Sequence, residues 1–267
     1  ILPLMDYVLN HSVALGLPGE TMLIPYVESH YRPDARGPAG ALGMWQLMPD
    51  TGRRFGLAGR GQADGRTDVR ASTDAALRLL KLNADAFSNN PKLTFAAYNA
   101  GAYRLRKALG GRDYAAQKTL DGLGLSRTTR EYLDKLKALG CLLGEPERYG
   151  MTLPSFDPDQ RLVEWRAPFP IQPEAVAKEL GLDSTVVRAL NRRVYAQQAA
   201  TTELPMLLPQ GPSNGLEALV ASGRFARTTP QLPKVEAPTS TAGKRVHKVA
   251  SGDSLWIVAK RYRVRLA

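Results

Sequence analysis

The stretch LIPYVESHYRPDARGPAGALGMWQLM, residues 23–48, decides how this chain is read, and its central residue is Glu28. Leu23, Val27 and Tyr31 recur every fourth residue, which is one face of a helix, and Glu28 shares the neighbouring stripe with Ile24. Arg32 precedes Pro33, and a residue before proline is pushed out of the α region, so the helix is predicted to end there with Glu28 in its last turn. A carboxylate at that end faces the negative pole of the helix dipole, and apolar neighbours desolvate it. Both effects favour the protonated acid. A glutamic acid that stays protonated near neutral pH is what proton donation to a leaving oxygen requires. A single glutamate near a helix end is ordinarily a solvated surface residue, so its neighbours in sequence carry the decision.

Those neighbours are unusual. Gly37, Gly40 and Gly43 precede the apolar run Met44-Trp45, allowing close approach of the backbone to a ligand where Gln46 offers both a donor and an acceptor. AAYNAG, residues 96–101, ends another predicted helix with Tyr98 and Asn99 just before a capping glycine. Glu28-Ser29, the segment Gly43-Met44-Trp45-Gln46-Leu47-Met48-Pro49, AAYNAG and TREYL (129–133) stand in the order and spacing of lytic transglycosylase catalytic domains, which this sequence resembles. These are lysozyme-like enzymes that cleave peptidoglycan. G-x-W-Q in place of the usual G-L-M-Q, together with DGRTDV at 64–69, is similar to a membrane-bound branch of that family. The resemblance covers about the first half of the chain.

The resemblance implies cleavage of the β-1,4 bond between N-acetylmuramic acid and N-acetylglucosamine. Glu28 is the implied catalytic acid and then base, closing a 1,6-anhydro ring on the muramyl product. Ser29, Met44, Trp45, Gln46, Tyr98, Asn99 and Tyr132 are the implied substrate-side residues. Trp45 is read either as a sugar-stacking ring or as packing beneath the loop. Asp34, Asp50, Asp64 and Asp68 fall outside the family's catalytic motifs, so the substrate's own acetamido group is expected to take the place of a second carboxylate. Two rival readings are a goose-type lysozyme-like hydrolase and a wall-binding protein with an inactive catalytic lobe.

Composition narrows the field further. The chain has 267 residues, 43% of them hydrophobic, enough for one well-buried core and smaller modules. It lacks a run of about 18 apolar residues and opens at Ile1 without a signal-type segment, so a lipid anchor upstream of Ile1 is compatible with it. A single cysteine excludes an internal disulfide, and Cys141 is expected to be a small buried hydrophobe. His11, His30 and His247 lack ligand spacing, so neither a metal nor another cofactor is expected. The net charge of +11 is uneven: +5 over residues 1–145, zero over 146–239 and +6 over 240–267. A basic surface attracts any polyanion, and peptidoglycan is one; nothing besides charge points to nucleic acid, which is not expected as a partner. Peptidoglycan glycan strands and other cell-wall enzymes are the expected partners, in a periplasmic setting with attachment to the outer membrane.

The expected fold class is α+β: a mainly helical lysozyme-like catalytic domain followed by small βααβ LysM-like modules. The predicted helices of the first domain, 1–145, include 4–15, one from Trp45 to Phe55, one capped by Ser72 or Thr73, one opened by Pro91, and one capped by Thr128 or Thr129. Residues 146–209 read as strand, helix, helix, strand. Residues 210–243, rich in Gly, Pro, Ser and Thr apart from a short helix expected at Leu216–Ala221, read as a linker. VHKVASGDSLWIVAKRYRV, 246–264, resembles the start of a LysM carbohydrate-binding module, so 244–267 is expected to be such a module, truncated. At a constant offset AVAKELGL (175–182) matches IVAKRYRV (257–264), and the middle module is therefore expected to be a degenerate LysM relative acting as a spacer.

Overall fold

The first helix, α1 (Leu2–Ala14), has a proline in its first turn, where the missing N–H costs nothing, and gives way to a left-handed Gly16. A 3-10 turn (Gly19–Leu23) leads into α2 (Ile24–Ser29), which carries Glu28, and a loop then runs to α3 (Pro49–Arg54). In this computed structural model the described residues are 1–57, 64–111, 114, 120, 122, 124–169, 171–196 and 205–225. The tail expected to begin a LysM module, 244–267, lies outside them.

Four helices complete the larger lobe: α4 (Val69–Ala86), α5 (Pro91–Ala100), α6 (Ala102–Leu109) and α7 (Arg127–Gly144). α4 is lined with small residues, and Ala75, Ala76 and Leu80 are fully buried, so its backbone lies close to its neighbours. α5 packs on α4, α6 and α7, and α7 also meets α2. The caps are Asp68 for α4 and Ser126 for α7, rather than the expected Ser72 or Thr73 and Thr128 or Thr129. Ser72, Thr73 and Thr129 are buried inside the helices instead. The helix expected from Trp45 starts only at Pro49, because residues 42–47 close a tight bridge between Leu42 and Leu47. Cys141 is exposed, contrary to expectation, since α7 turns its Cys141 face away from the core.

The smaller lobe has the expected order β1 (Leu162–Trp165), α8 (Pro173–Glu179), α9 (Ser184–Leu190), then a further short α10 (Arg192–Ala196) and β2 (Met206–Pro209). β1 and β2 pair antiparallel, with Leu162 opposite Pro209 and Trp165 opposite Met206. The described fold is thus mainly helical with a single two-stranded sheet. Alternation along β2 sends Met206 and Leu208 into the small lobe's own core, with Trp165, Val176 and Val187, and Leu207 into the core of the larger lobe. Leu162 and Leu190 join Leu207 there. The expected linker beginning at residue 210 is corrected in its first part. α11 (Gln210–Ser213) follows β2 directly, then comes α12 (Leu216–Ala221) where a short helix was expected, and Leu216 and Phe225 are buried in the small core.

The two lobes belong to one compact unit and share buried apolar surface. Leu207→Ala should therefore cost about 2–5 kcal/mol, read as a lower midpoint in urea. Far-UV circular dichroism and tryptophan fluorescence should follow one coincident transition, because Trp45 and Trp165 report from different lobes. Two separated transitions would show that the shared core does not couple them.

Candidate active site

α2 is stopped by its own backbone before Pro33 is reached. His30 and Tyr31 both adopt left-handed conformations, with φ of 54° and 60°, and their N–H groups return to the carbonyls of Tyr26 and Pro25. Neither residue is glycine, so each position is strained by about 1–2 kcal/mol and must be held by its surroundings. Tyr31 is held: its ring is buried and its hydroxyl donates to the Met22 carbonyl. Glu28 thus stands in the last turn, as expected, and Ser29 points inward.

The Ser29 hydroxyl donates to the Met44 carbonyl at 2.9 Å and accepts from the Arg32 N–H at 3.1 Å, tying α2 to the following loop. That loop folds back on itself between Ala35 and Leu47. Gly43, at φ 82°, lies so close to the Arg66 carbonyl that an added Cβ would come within 1.9 Å of it, so only glycine fits. Gln46 is also left-handed, at φ 47°. Its amide NH2 donates to the Ala35 and Gly43 carbonyls at 3.2 and 2.8 Å, and its Oε1 lies against Gly37. The expected open donor of Gln46 is therefore engaged in closing the loop.

Met44 and Trp45 were expected on the substrate side, and the structure corrects this for both side chains, which are fully buried. Trp45 donates its indole N–H to Thr73 Oγ1 of α4 at 3.1 Å, so it packs beneath the loop instead of stacking on a sugar. The Trp45 carbonyl accepts from the Tyr98 hydroxyl of α5 at 2.7 Å. Asn99, the next residue, is partly exposed in the last turn of α5, before Gly101 at φ 88°.

Glu28, Tyr98 and Tyr132 are brought together. Burial is the largest influence on Glu28 and pushes its carboxyl up from 4.5 to about 7, opposed in part by the Tyr132 hydroxyl, which favours the ionised form. Tyr132 on α7 is itself buried, and its hydroxyl lacks a partner of good hydrogen-bond geometry while facing Glu28 closely enough to interact with it. Burial, then the Glu28 charge, push both phenols above their ordinary range, so each remains a neutral hydroxyl. Among the described residues, no carboxylate is among the groups that move the Glu28 proton. Asp34 approaches Arg192 at 3.5 Å, Asp50 pairs with Arg53, Asp64 with Arg66, and Asp68 binds backbone N–H groups.

Sequence reasoning missed Arg66 and Thr73 as parts of the site. Arg66 donates to the Gly40 and Leu47 carbonyls, both at 2.8 Å, while Asp64 holds its guanidinium through Nε and Nη2. The available signal was the Asp64-Gly65-Arg66 turn, in which Asp64 also accepts the Arg66 N–H. A groove of about 840 Å3 does not include Glu28; it lies along another face of α7, lined by Phe95, Leu133, Lys137, Gly140 and Cys141.

Residues 16–120 match the family model described as Transglycosylase SLT domain. Membrane-bound lytic murein transglycosylase D of Escherichia coli (strain K12) is 32% identical over 98% of this chain and 58% of its own length. Membrane-bound lytic murein transglycosylase F of Vibrio campbellii is 32% identical over 41% of this chain and 22% of its own. The solved 70 kDa soluble lytic transglycosylase of Escherichia coli has a TM-score of 0.42 at 26% identity, covering 50% of this chain and 23% of that one. The chain thus spans a little over half the length of the first of these relatives. Glu28, the 35–47 loop and Tyr98 all lie inside the segment that matches the Transglycosylase SLT domain model.

Proposed function

We propose that this chain is a lytic transglycosylase that cleaves peptidoglycan between N-acetylmuramic acid and N-acetylglucosamine, leaving 1,6-anhydromuramyl ends. The observation that carries the reading is a single carboxyl, Glu28, held near pKa 7 within the segment that matches the SLT domain model, with no second carboxylate among the described residues acting on it. A pair of carboxylates is the usual equipment for hydrolysis by water or by a covalent intermediate. One group that titrates near neutrality suits donation and acceptance in turn.

The proton of the Glu28 carboxyl passes to the glycosidic oxygen as the bond to the anomeric carbon breaks, and the substrate's acetamido oxygen shares the positive charge at that carbon. The Glu28 carboxylate so formed then removes the proton of the muramyl 6-hydroxyl, whose oxygen bonds to the anomeric carbon and restores the acid. Tyr132 serves the second half, since its hydroxyl favours the ionised carboxylate. Tyr98 holds the loop at the Trp45 carbonyl, and Asn99 and the accessible part of Gln46 face the sugars. The relatives named membrane-bound support attachment to a membrane, and a periplasmic setting with a lipid upstream of Ile1 in the outer membrane is part of the same proposal. A spacer role of the small lobe as a degenerate LysM relative, and a wall-binding role of 244–267 as a LysM segment, belong to the same proposal.

Mass spectrometry of products from digested sacculi tests the chemistry. The wild-type chain should release anhydromuramyl ends, and Glu28→Gln should abolish release while keeping its circular dichroism spectrum. Reducing muramyl ends would replace the reading with a lysozyme-like hydrolase.

The pH profile tests the proton assignment. Activity should fall as pH rises through about 7, where Glu28 loses its proton. Tyr132→Phe removes the hydroxyl that favours the charged form, so the alkaline limb should move to higher pH while the maximal rate falls about tenfold or more, because the second proton transfer loses its support. An unmoved limb would remove Tyr132 from the mechanism.

Stability supplies an independent check. Between pH 4.5 and about 7 the folded chain retains a proton on Glu28 that the unfolded chain releases, so this group lowers stability as pH rises through that window and the cost is complete above it. Glu28→Gln should melt several degrees above wild type at pH 8, with the difference shrinking towards pH 4. Equal melting temperatures at pH 8 would mean that the carboxyl is not desolvated.

A further inference from the structure

The buried carboxylate of Asp68 is not used by the chemistry above, and its two oxygens serve different lobes. One accepts the Ala71 N–H at 2.8 Å and caps α4; the other accepts the Arg193 N–H of α10 at 3.1 Å. α4 in turn carries Thr73, which receives the Trp45 indole, and the Trp45 carbonyl anchors Tyr98. From α10 to the groups around Glu28, the route therefore runs through one buried carboxylate and four hydrogen bonds, two of them made by that carboxylate.

A second route runs parallel to the first. α10 packs on the 3-10 turn Gly65–Thr67, and Arg66 of that turn holds the Gly40 and Leu47 carbonyls of the loop. The Arg192 side chain approaches Asp34 at 3.5 Å, at the beginning of the same loop. α10 is itself fixed from the far side. Buried Asn191, the residue before it, accepts the Leu207 N–H at 2.7 Å and donates to the Leu207 and Val187 carbonyls at 2.9 and 2.8 Å. Leu207, whose side chain enters the core of the larger lobe, is thus locked to α9 by its own backbone. Tyr7 to Glu164, at 3.0 Å, and Arg161 to Asp6, at 3.1 Å, close the contact between the lobes at β1.

We propose that the small lobe is a brace of the catalytic cleft, in which α10, through Asp68 and the turn at Arg66, positions the 35–47 loop and the floor beneath Glu28. This rests on the transglycosylase reading and gives the lobe a role in turnover that a sugar-binding module or a spacer lacks. Asp68 and Arg193 are positioning residues: neither is placed against substrate. Loosening them lets the loop shift and water reach Glu28, and small misplacements of a reacting group lower the rate far more than they weaken binding.

Two variants cut the same bond from opposite sides. Asp68→Asn keeps the shape of the side chain but leaves it one acceptor oxygen for two backbone donors. Arg193→Pro removes the donor N–H together with the Arg193 side chain, at the second position of α10, a place where α1 and α2 already carry proline. With a soluble glycan substrate, at a temperature where circular dichroism shows both variants folded, kcat should fall about five- to tenfold in each while KM changes less than about twofold. The alkaline limb of the rate profile should move to lower pH as Glu28 becomes better solvated. Arg192→Ala, at a partly exposed side chain, should shift kcat in the same direction by about twofold. Variants that merely melt earlier, with wild-type kcat and an unmoved limb, would overturn the brace and leave the transglycosylase reading standing. A wild-type chain that releases no anhydromuramyl product would overturn that reading itself.

Discussion

Buried backbone carbonyls must find donors, and in this protein two of them fix the site. The loop from Ala35 to Leu47 is held beneath its surroundings, with Met44 and Trp45 fully buried, so their peptide groups are cut off from water. The donors come from separate elements: Ser29 on the Glu28 helix for Met44, and Tyr98 on α5 for Trp45. The Trp45 indole then needs an acceptor and finds it on α4. Three helices are thereby joined to one loop by groups that would each cost about 1–3 kcal/mol if left unpaired. Much of what looks in sequence like substrate-binding equipment is this internal accounting.

The same economy explains why Glu28 has an unusual proton affinity without a charged partner among the described residues. Burial by the ordered loop and helices raises it, and Tyr132 draws it partly back. A neighbouring carboxylate would have raised it further, and a neighbouring cation would have lowered it. The value near neutrality therefore depends on how tightly the surroundings exclude water, which makes the acid sensitive to packing at a distance.

The position of Glu28 in a last helical turn was legible, because it rests on local spacing and on Pro33. The actual stop, two left-handed residues at His30 and Tyr31, was not, since histidine is only enriched at such positions and tyrosine carries no signal for them. The order strand, helix, helix, strand in the small lobe was legible from alternation and prolines. α10 and the burial of Leu216 and Phe225 were not, because composition at 210–225 resembles a linker and only the tertiary contacts reveal otherwise. Trp45 was read as part of a helix because its apolar neighbours continue the pattern; the Leu42 to Leu47 bridge overrides that preference. Asp68 was set aside as a spare carboxylate, and its role as cap and tie depends on Arg193, 125 residues away. Cys141 looked buried because the residues around it are apolar, but helical rotation decides which of them meet the core.

The exposed Cys141 has a practical consequence. It is the only thiol in the sequence and lies on the helix that presents Tyr132, nine positions further along. A maleimide spin label or fluorophore attached there would be homogeneous without any cysteine being removed first. Such a reporter sits in the groove beside Phe95 and Lys137, away from Glu28, and would register tilting of α7 on addition of the substrate proposed above. The chain thus carries its own attachment point for watching the catalytic lobe move during turnover.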